Sequence, residues 1–511
     1  MKNPEKLYLS TAISYSNAKP HIGHAYEMIL ADVFARFYRL DGRDVLFSTG
    51  SDEYGQKILK SANNAGIPVE DFVEQNTKSF SDMADALDIS YDEFIRTTEK
   101  RHHDSCQELW KRILNSGDIY KGSYKGWYSL LDEAYCQNDE IYVGKDGQRY
   151  NSQNNPVQWM EEEGYFFRLS AYQKKLLAFY DTHPEFILPI EKRNEVISFV
   201  KSGLKDLSIS RKNFDWGVKI PEDSEYIMYV WIDALTNYLT VTGILKDPRG
   251  EKAKFWPADM HIIGKDIVRF HAVYWPAFLL SANLPMPKRI FSHGFIINKG
   301  KKISKSLGNV IDPIEVIDNV GVDALRYFLL REISCGQDGF YDIDSVKRRA
   351  NADLANGIGN LMSRSVAMIL KNFDGKIPNP NVLLECDEVI LSACSTSFND
   401  IRDNINNQLI HRALSQTISI VSEVDRYFSE QKPWELKKTD PNRMSTVLYV
   451  AIDVVRQIAI LLQPYVPRLA DKILNILCIP NEKRIFSSLD DKLEPGLIIK
   501  EDINPVFPRF L

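Results

Sequence analysis

The stretch Leu7-Tyr8-Leu9-Ser10-Thr11-Ala12-Ile13-Ser14-Tyr15-Ser16-Asn17-Ala18-Lys19-Pro20-His21-Ile22-Gly23-His24 decides how this chain is read. Leu7-Tyr8-Leu9 has the apolar run of a short buried strand. From Ile22 to Leu40, apolar residues recur at helical spacing (Ile22, Tyr26, Ile29, Val33, Phe37, Leu40). Gly42 is placed to end that helix. His21 and His24 therefore fall at a strand–loop–helix junction, where first-turn N–H groups and the helix dipole favour phosphate. Gly23 removes a side chain where a ligand or the sheet must come close. Taken alone, a turn with two nearby histidines would explain the pattern equally well.

A second stretch changes that balance. Gly300-Lys301-Lys302-Ile303-Ser304-Lys305-Ser306-Leu307-Gly308-Asn309 is a basic loop flanked by glycines. Lys302 and Lys305 are mobile point charges, suited to a polyphosphate that gains charge during reaction. Most short lysine runs are merely solvated loops, but this one lies 278 positions beyond His24. The pair resembles the HIGH and KMSKS signatures of class I aminoacyl-tRNA synthetases, with Ile303 in place of the usual Met. The resemblance implies His21, His24, Lys302 and Lys305 as catalytic residues.

Length and composition agree with a large enzyme. The chain has 511 residues, 44% of them hydrophobic, enough for two or three domains. A net charge of −6 excludes indiscriminate polyanion binding, so an RNA partner would meet local basic patches. Six cysteines include no C-x-x-C pair, which argues against a zinc knuckle or a disulfide framework and for a reducing compartment. No signal peptide or apolar run of spanning length stands out, so a cytoplasmic location without a membrane is expected.

Along the chain, strand and helix patterns alternate. Asp44 to Gly50 reads as a strand ending near Asp52, helical patterns cover 56–66 and 70–88, and Thr97 to Ser116 reads as a further helix. This alternation predicts an α/β fold with a Rossmann-type, doubly wound parallel sheet that binds ligands at its strand ends. Residues 118–168 are rich in Tyr, Trp, Gly and Asn and read as an inserted β-rich subdomain. Its acidic triplet Glu161-Glu162-Glu163 reads as a solvated face. Helical patterns fill the chain from about residue 344, predicting an all-α bundle with a Pro-rich strap at its end. The expected division is 1–117 and 169–298 for the two catalytic halves, 118–168 for the insertion, 299–344 for the lysine loop and its surroundings, and 345–511 for the bundle.

The amino acid is indicated by other motifs. The spacing leaves no room for the large editing insertion of valyl, isoleucyl and leucyl enzymes, and the zinc ligands of a cysteinyl enzyme are absent. Gly50-Ser51-Asp52-Glu53, Tyr165-Phe166-Phe167, Trp231-Ile232-Asp233-Ala234-Leu235-Thr236-Asn237-Tyr238 and His261-Ile262-Ile263-Gly264-Lys265-Asp266, with Phe270-His271, closely resemble the methionyl-tRNA synthetase family. Ser14 departs from the Pro of some members, which touches only loop stiffness. Aromatic walls suit an unbranched, polarisable thioether. The resemblance implies a methionine pocket of Ile13, Tyr15, Asp52, Trp231, Ala234, Leu235, Tyr238, Ile267, Phe270 and His271. Asp52 would pair the α-ammonium, although an N-cap role is as plausible from the residues alone. The resemblance also implies ATP contacts at Asn17, Gly23, Gly264, Asp266, His293, Gly294, Ser304 and Ser306. Asn360, Arg364 and Trp434 would contact the anticodon, with Trp434 equally readable as a packing residue.

The expected reaction is activation of L-methionine by ATP, with Mg2+ accompanying the nucleotide, and transfer to tRNA(Met). Only Cys136 remains where many members carry zinc cysteines, so no metal is expected. A monomer is expected, as no appended domain follows the bundle. A synthetase for another amino acid, a smaller nucleotidyltransferase and a non-catalytic RNA-binding descendant are the alternatives. The last would be expected to lose the histidines or lysines, and all are present.

Overall fold

The structure, a computed structural model, describes residues 5–129, 134–136, 140–212, 214–298, 301–302, 310–500 and 505–510. Ile303 to Asn309, with Ser304, Lys305 and Ser306, lie outside the described residues, as do the side chains of Lys301 and Lys302.

The first strand, β1 (Lys6–Thr11), is followed by helix α1 (Ile22–Leu40) and strands β2 (Asp44–Asp52) and β3 (Glu93–Arg96). Helix α2 (Lys100–Asn115) leads to the long strands β4 (Ile119–Ser129) and β5 (Val157–Phe167). After β6 (Ile187–Leu188) come α3 (Val230–Thr242), β7 (Met260–Gly264) and β8 (Ile290–His293). The main sheet runs in the order β6, β8, β7, β1, β2, β3, and all its pairings are parallel. Ser14–Tyr15 resumes pairing with β2 beyond a short break, setting Ser14 opposite Ser51 and Tyr15 opposite Asp52. The order reverses between β1 and β7, which opens a crevice beyond the carboxyl ends of the strands.

The insertion is β4 paired antiparallel with β5 over their full length. Below the sheet's end, β9 (Ile296–Asn298) pairs with β10 (Lys301–Lys302) and β11 (Gly339–Tyr341), forming the stem of the lysine loop. Gly294 enters this stem against the backbone of the neighbouring segment. A Cβ there would lie 2.2 Å from the carbonyl oxygen of Gln337, so only glycine fits.

Helix α4 (Val322–Glu332) opens the helical part, which continues through α5 (Asn360–Phe373), α6 (Ile410–Gln431), α7 (Pro433–Thr439), α8 (Pro441–Leu462) and α9 (Pro467–Ile476). The bundle is not a separate globule. One apolar cluster runs from Leu9 and α1 through α4 into α6, α8 and α9. The final segment packs back as a strap: the Ile377 and Ile499 N–H groups bond the carbonyls of Leu497 and Gly375, and Val506 and Phe507 are buried.

Several local expectations change. Glu93–Arg96 is a strand that the sequence reading leaves unassigned, because its four residues carry no clear alternation. The helical pattern that begins at about residue 344 is interrupted by a wide π-type segment, Asn351–Gly359, with Gly357 in a non-helical conformation. Helix α8 is long and apolar enough to cross a membrane by length and composition, contrary to the expectation of no such run. Its apolar window is wholly buried in the bundle, as the central helix of an all-α core must be. Ile458 on α8 has no exposed surface. Ile458→Ala should therefore cost about 3 kcal/mol by cavity formation, read as a lowered urea midpoint.

Candidate functional site

The histidines of the first motif close the N-terminus of α1. His21 is the N-cap residue and its Nδ1 accepts the N–H of Gly23 at 3.1 Å. His24 Nδ1 accepts the N–H of His21 at 3.1 Å, and the two rings stack 3.9 Å apart. The Ile22 N–H is bonded to the carbonyl of Ile311. The helix end is thus not the open backbone cradle that sequence reasoning expects; its amides are taken by the histidines and a loop. In a neutral imidazole, an accepting Nδ1 leaves the proton on Nε2, so each ring becomes a directed N–H donor. Burial, with His21 and His293 nearby, holds His24 well below the usual histidine range, so its ring is neutral. A Cβ at Gly23 would lie 2.9 Å from the His21 ring, so a larger residue would push the capping ring out of place.

Beside this helix end lies a cavity of about 360 Å³ between the ends of β1, β2 and β7 and the start of α3. All ten expected methionine-pocket residues line it: Ile13, Tyr15, Asp52, Trp231, Ala234, Leu235, Tyr238, Ile267, Phe270 and His271. His24, Gly264 and Asp266 line it too. His21, Asn17, Gly23, His293 and Gly294 lie outside its lining; Gly23 adjoins His24 in sequence, the His21 ring stacks on His24, and His293 is bonded to Glu27.

The pocket's polar groups are held by specific bonds. Tyr238 donates its hydroxyl to His271 Nε2 at 2.8 Å, while His271 Nδ1–H donates to the Ile267 carbonyl at 3.1 Å. Burial pushes His271 down to about 4, so the ring stays neutral and its tautomer is set. The Tyr238 ring stacks on buried His261 at 3.9 Å, and Trp231 stacks on Phe270 at 3.7 Å. Lys57 lies over the Tyr15 ring. His293 Nε2 meets Glu27 at 2.9 Å and its Nδ1 meets the Gly294 carbonyl at 2.8 Å, so both nitrogens are engaged within the protein. Burial opposes the charge on His293, but the Glu27 carboxylate outweighs it and raises the histidine above its usual range.

Glu27, Lys57, Asn237 and Gln153 also line the cavity, and sequence reasoning does not single them out. Glu27 could have been found, since it lies three residues after His24 on one helix face. Gln153 comes from the inserted subdomain, and no local pattern marks it.

In the bundle, the Arg364 guanidinium lies 4.8 Å over the Phe428 ring and 5.7 Å from that of Trp434, and it pairs with Asp425 at 3.1 Å. Trp434 is 48% exposed and Asn360 is exposed, so neither is a core residue. Cys136, the one cysteine of the insertion, is buried and bonded through its N–H to the Trp127 carbonyl. Among the described residues, His102, Cys106 and Asp233 form the one group with ligand atoms close enough for a metal. Their His102 Nε2 to Asp233 Oδ1 distance is 2.7 Å, a hydrogen bond. Two ligands of one tetrahedral zinc would stand about 3.3 Å apart, so the cluster fits a bonded network better than an ion.

The His271 environment has a pH consequence. A histidine depressed from 6.5 to about 4 leaves the unfolded chain holding more proton between those values. Its contribution is intact above pH 6.5 and is lost as pH falls towards 4. The stability advantage of the native chain over His271→Gln should therefore shrink by about 2 kcal/mol from pH 7 to pH 5, measured by urea unfolding.

Comparisons with known proteins agree with this geometry. Residues 7–366 match the family model "tRNA synthetases class I (M)", and residues 377–495 match "Anticodon binding domain of methionyl tRNA ligase". A methionine–tRNA ligase of Rhizobium meliloti is 56% identical, covering 100% of this chain and 99% of the relative; one of Brucella suis is 53% identical over 99% and 98%. The Mycobacterium tuberculosis methionyl-tRNA synthetase in complex with methionyl-adenylate superposes with a TM-score of 0.96 at 48% identity, covering 99% of this chain and 100% of that one. Its apo form gives 0.90 at 45% identity, covering 100% and 99%. The chain belongs to the methionyl-tRNA synthetase family of class I aminoacyl-tRNA synthetases.

Proposed function

We propose that this chain, a methionine–tRNA ligase by family, forms methionyl-adenylate in the β1/β7 crevice and passes methionine to the 3′ end of tRNA(Met) with the residues described above. The carrying observation is that the aromatic pocket residues and His24, whose ring stacks on that of His21, line one cavity.

In this reading the methionine side chain lies among Trp231, Tyr238, Phe270, Ala234 and Leu235, with His271 and Ile267 at its end. A neutral His271 with a fixed tautomer is a polar wall that needs no counter-charge. Asp52 takes the α-ammonium and Ile13 offers backbone atoms. The methionine carboxylate attacks the α-phosphate in line, and pyrophosphate leaves. Such a step is accelerated by alignment and charge stabilisation rather than by covalent help. The Nε2–H groups of His21 and His24 donate to phosphate oxygens, with Asn17 and Gly23 shaping the turn. Lys302 and Lys305 close over the β- and γ-phosphates, beside Ser304 and Ser306. Their contacts strengthen as charge develops on pyrophosphate, which lowers the barrier rather than merely binding ATP. Gly264, Asp266, His293 and Gly294 border the nucleoside side, with His293 acting through Glu27. Mg2+ travels with ATP.

The bundle, residues 345–511, reads the anticodon. Trp434 offers a face for an unstacked base, and Arg364 and Asn360 offer hydrogen bonds. The insertion, 118–168, carries no zinc, and residues 299–344 join the lysine loop to the bundle. The protein acts as a monomer in the cytoplasm.

Methionine-dependent ATP–pyrophosphate exchange tests the first step without tRNA. Exchange with methionine and little with cysteine, leucine, isoleucine or valine is expected; preference for another amino acid would refute the pocket. Lys305→Ala should lower the activation kcat about 100-fold, as loss of a transition-state charge contact does, with methionine affinity within about twofold. Trp434→Ala should cut tRNA charging at least tenfold and leave exchange nearly unchanged; equal losses would make it a packing residue.

A further inference from the structure

We propose that Arg326 is a positioning residue for tRNA charging: its buried guanidinium sets the angle between the catalytic helix α1 and the helical bundle. The proposal rests on the two-step reading above.

Arg326, on α4, has no exposed surface. Its Nη2 donates to Asp32 Oδ2 at 2.6 Å and to the Pro464 carbonyl at 3.0 Å. Nε donates to the Tyr465 carbonyl and Nη1 to the Leu87 carbonyl, each at 3.0 Å. One rigid, planar fork therefore joins three separate pieces of chain. Asp32 belongs to α1, whose first turn carries His21 and His24. Leu87 ends the helix packed beside α1. Pro464 and Tyr465 form the turn between α8 and α9. Arg326 and Asp32 fall in the stretch matched by the synthetase model, and the turn falls in the stretch matched by the anticodon-binding model.

The joint is built for rigidity. Asp32 also accepts from Arg36 Nε at 2.8 Å and from the N–H and hydroxyl of Ser90 at 2.7 and 2.6 Å. Burial works against its charge, yet Arg326, Arg36 and Ser90 together hold it below the ordinary carboxylate range. Next to the joint, Arg468 at the start of α9 pairs with Asp88, and Asp323 accepts the N–H of Leu469 at 2.6 Å. At the far end of α1, Arg402 forks onto Asp41. Helix α1 is thus a strut tied to the bundle at two points, with the histidine pair at its other end.

The two steps use this strut differently. Activation needs only small substrates in the cavity. Charging needs one tRNA to engage the bundle and the cavity together, so an error in angle misplaces the acceptor end.

Arg326→Lys keeps a charge opposite Asp32 but cannot span the four acceptors. Expected for it are methionine-dependent ATP–pyrophosphate exchange within twofold of the native chain, tRNA binding within twofold, and a charging kcat reduced at least tenfold. Arg468→Ala removes an exposed pair beside the same turn, so it remains testable if the lysine variant does not fold. It should lower charging kcat about threefold and leave exchange unchanged. Parallel loss of exchange and charging, or unchanged charging in every variant that folds, would overturn the proposal. Absence of methionine-dependent exchange in the native chain would instead overturn the functional reading.

Discussion

Strand β1 pairs in parallel with β2 on one side and β7 on the other, and the site depends on that placement. Its carboxyl end is the seam where the sheet order reverses. Chain leaving β1 must cross that seam to reach α1, which brings Ala12 to Tyr15 over the crevice and sets the histidine pair at its rim. The neighbouring strands then deliver Asp52 and Gly264 to the same level, because parallel strands present their carboxyl ends together. Residues as far apart as Ile13 and His271 share one wall because of strand order, not sequence distance.

Within the crevice, burial and hydrogen bonding set the chemistry. His24 and His271 are both held neutral by desolvation, and each has its tautomer set by a defined partner on Nδ1. A neutral ring suits a pocket that takes an apolar side chain, since a buried charge without a partner would be costly. Where charge is kept, as in Glu27 with His293 or Asp32 with Arg326, a partner lies within 3 Å. The same rule that shapes the site also shapes the joint to the bundle.

Much of this was legible from residues alone. The helical period from Ile22 to Leu40, the strand ending at Asp52 and the histidine and lysine motifs point to the correct fold class. The pocket motifs around Trp231 and His271 name residues that share one cavity. What escaped had no local signal. Glu93–Arg96 is too short to show alternation, and the break at Gly357 interrupts an otherwise regular helical pattern. Gln153 reaches the cavity from a hairpin-rich insertion, and nothing in its neighbourhood announces that.

The sequence by itself determined most of the helices and strands, where the phosphate-type motifs lie and which aromatics suit a thioether. These are properties of short windows, governed by periodicity and side-chain chemistry. Tertiary structure alone decided that His293 is spent on Glu27 and that the bundle shares a core with the catalytic sheet. It also decided that Arg326 meets Asp32 and Tyr465. Those outcomes depend on contacts between residues more than a hundred positions apart, which only the packing of the whole chain can bring within hydrogen-bond range.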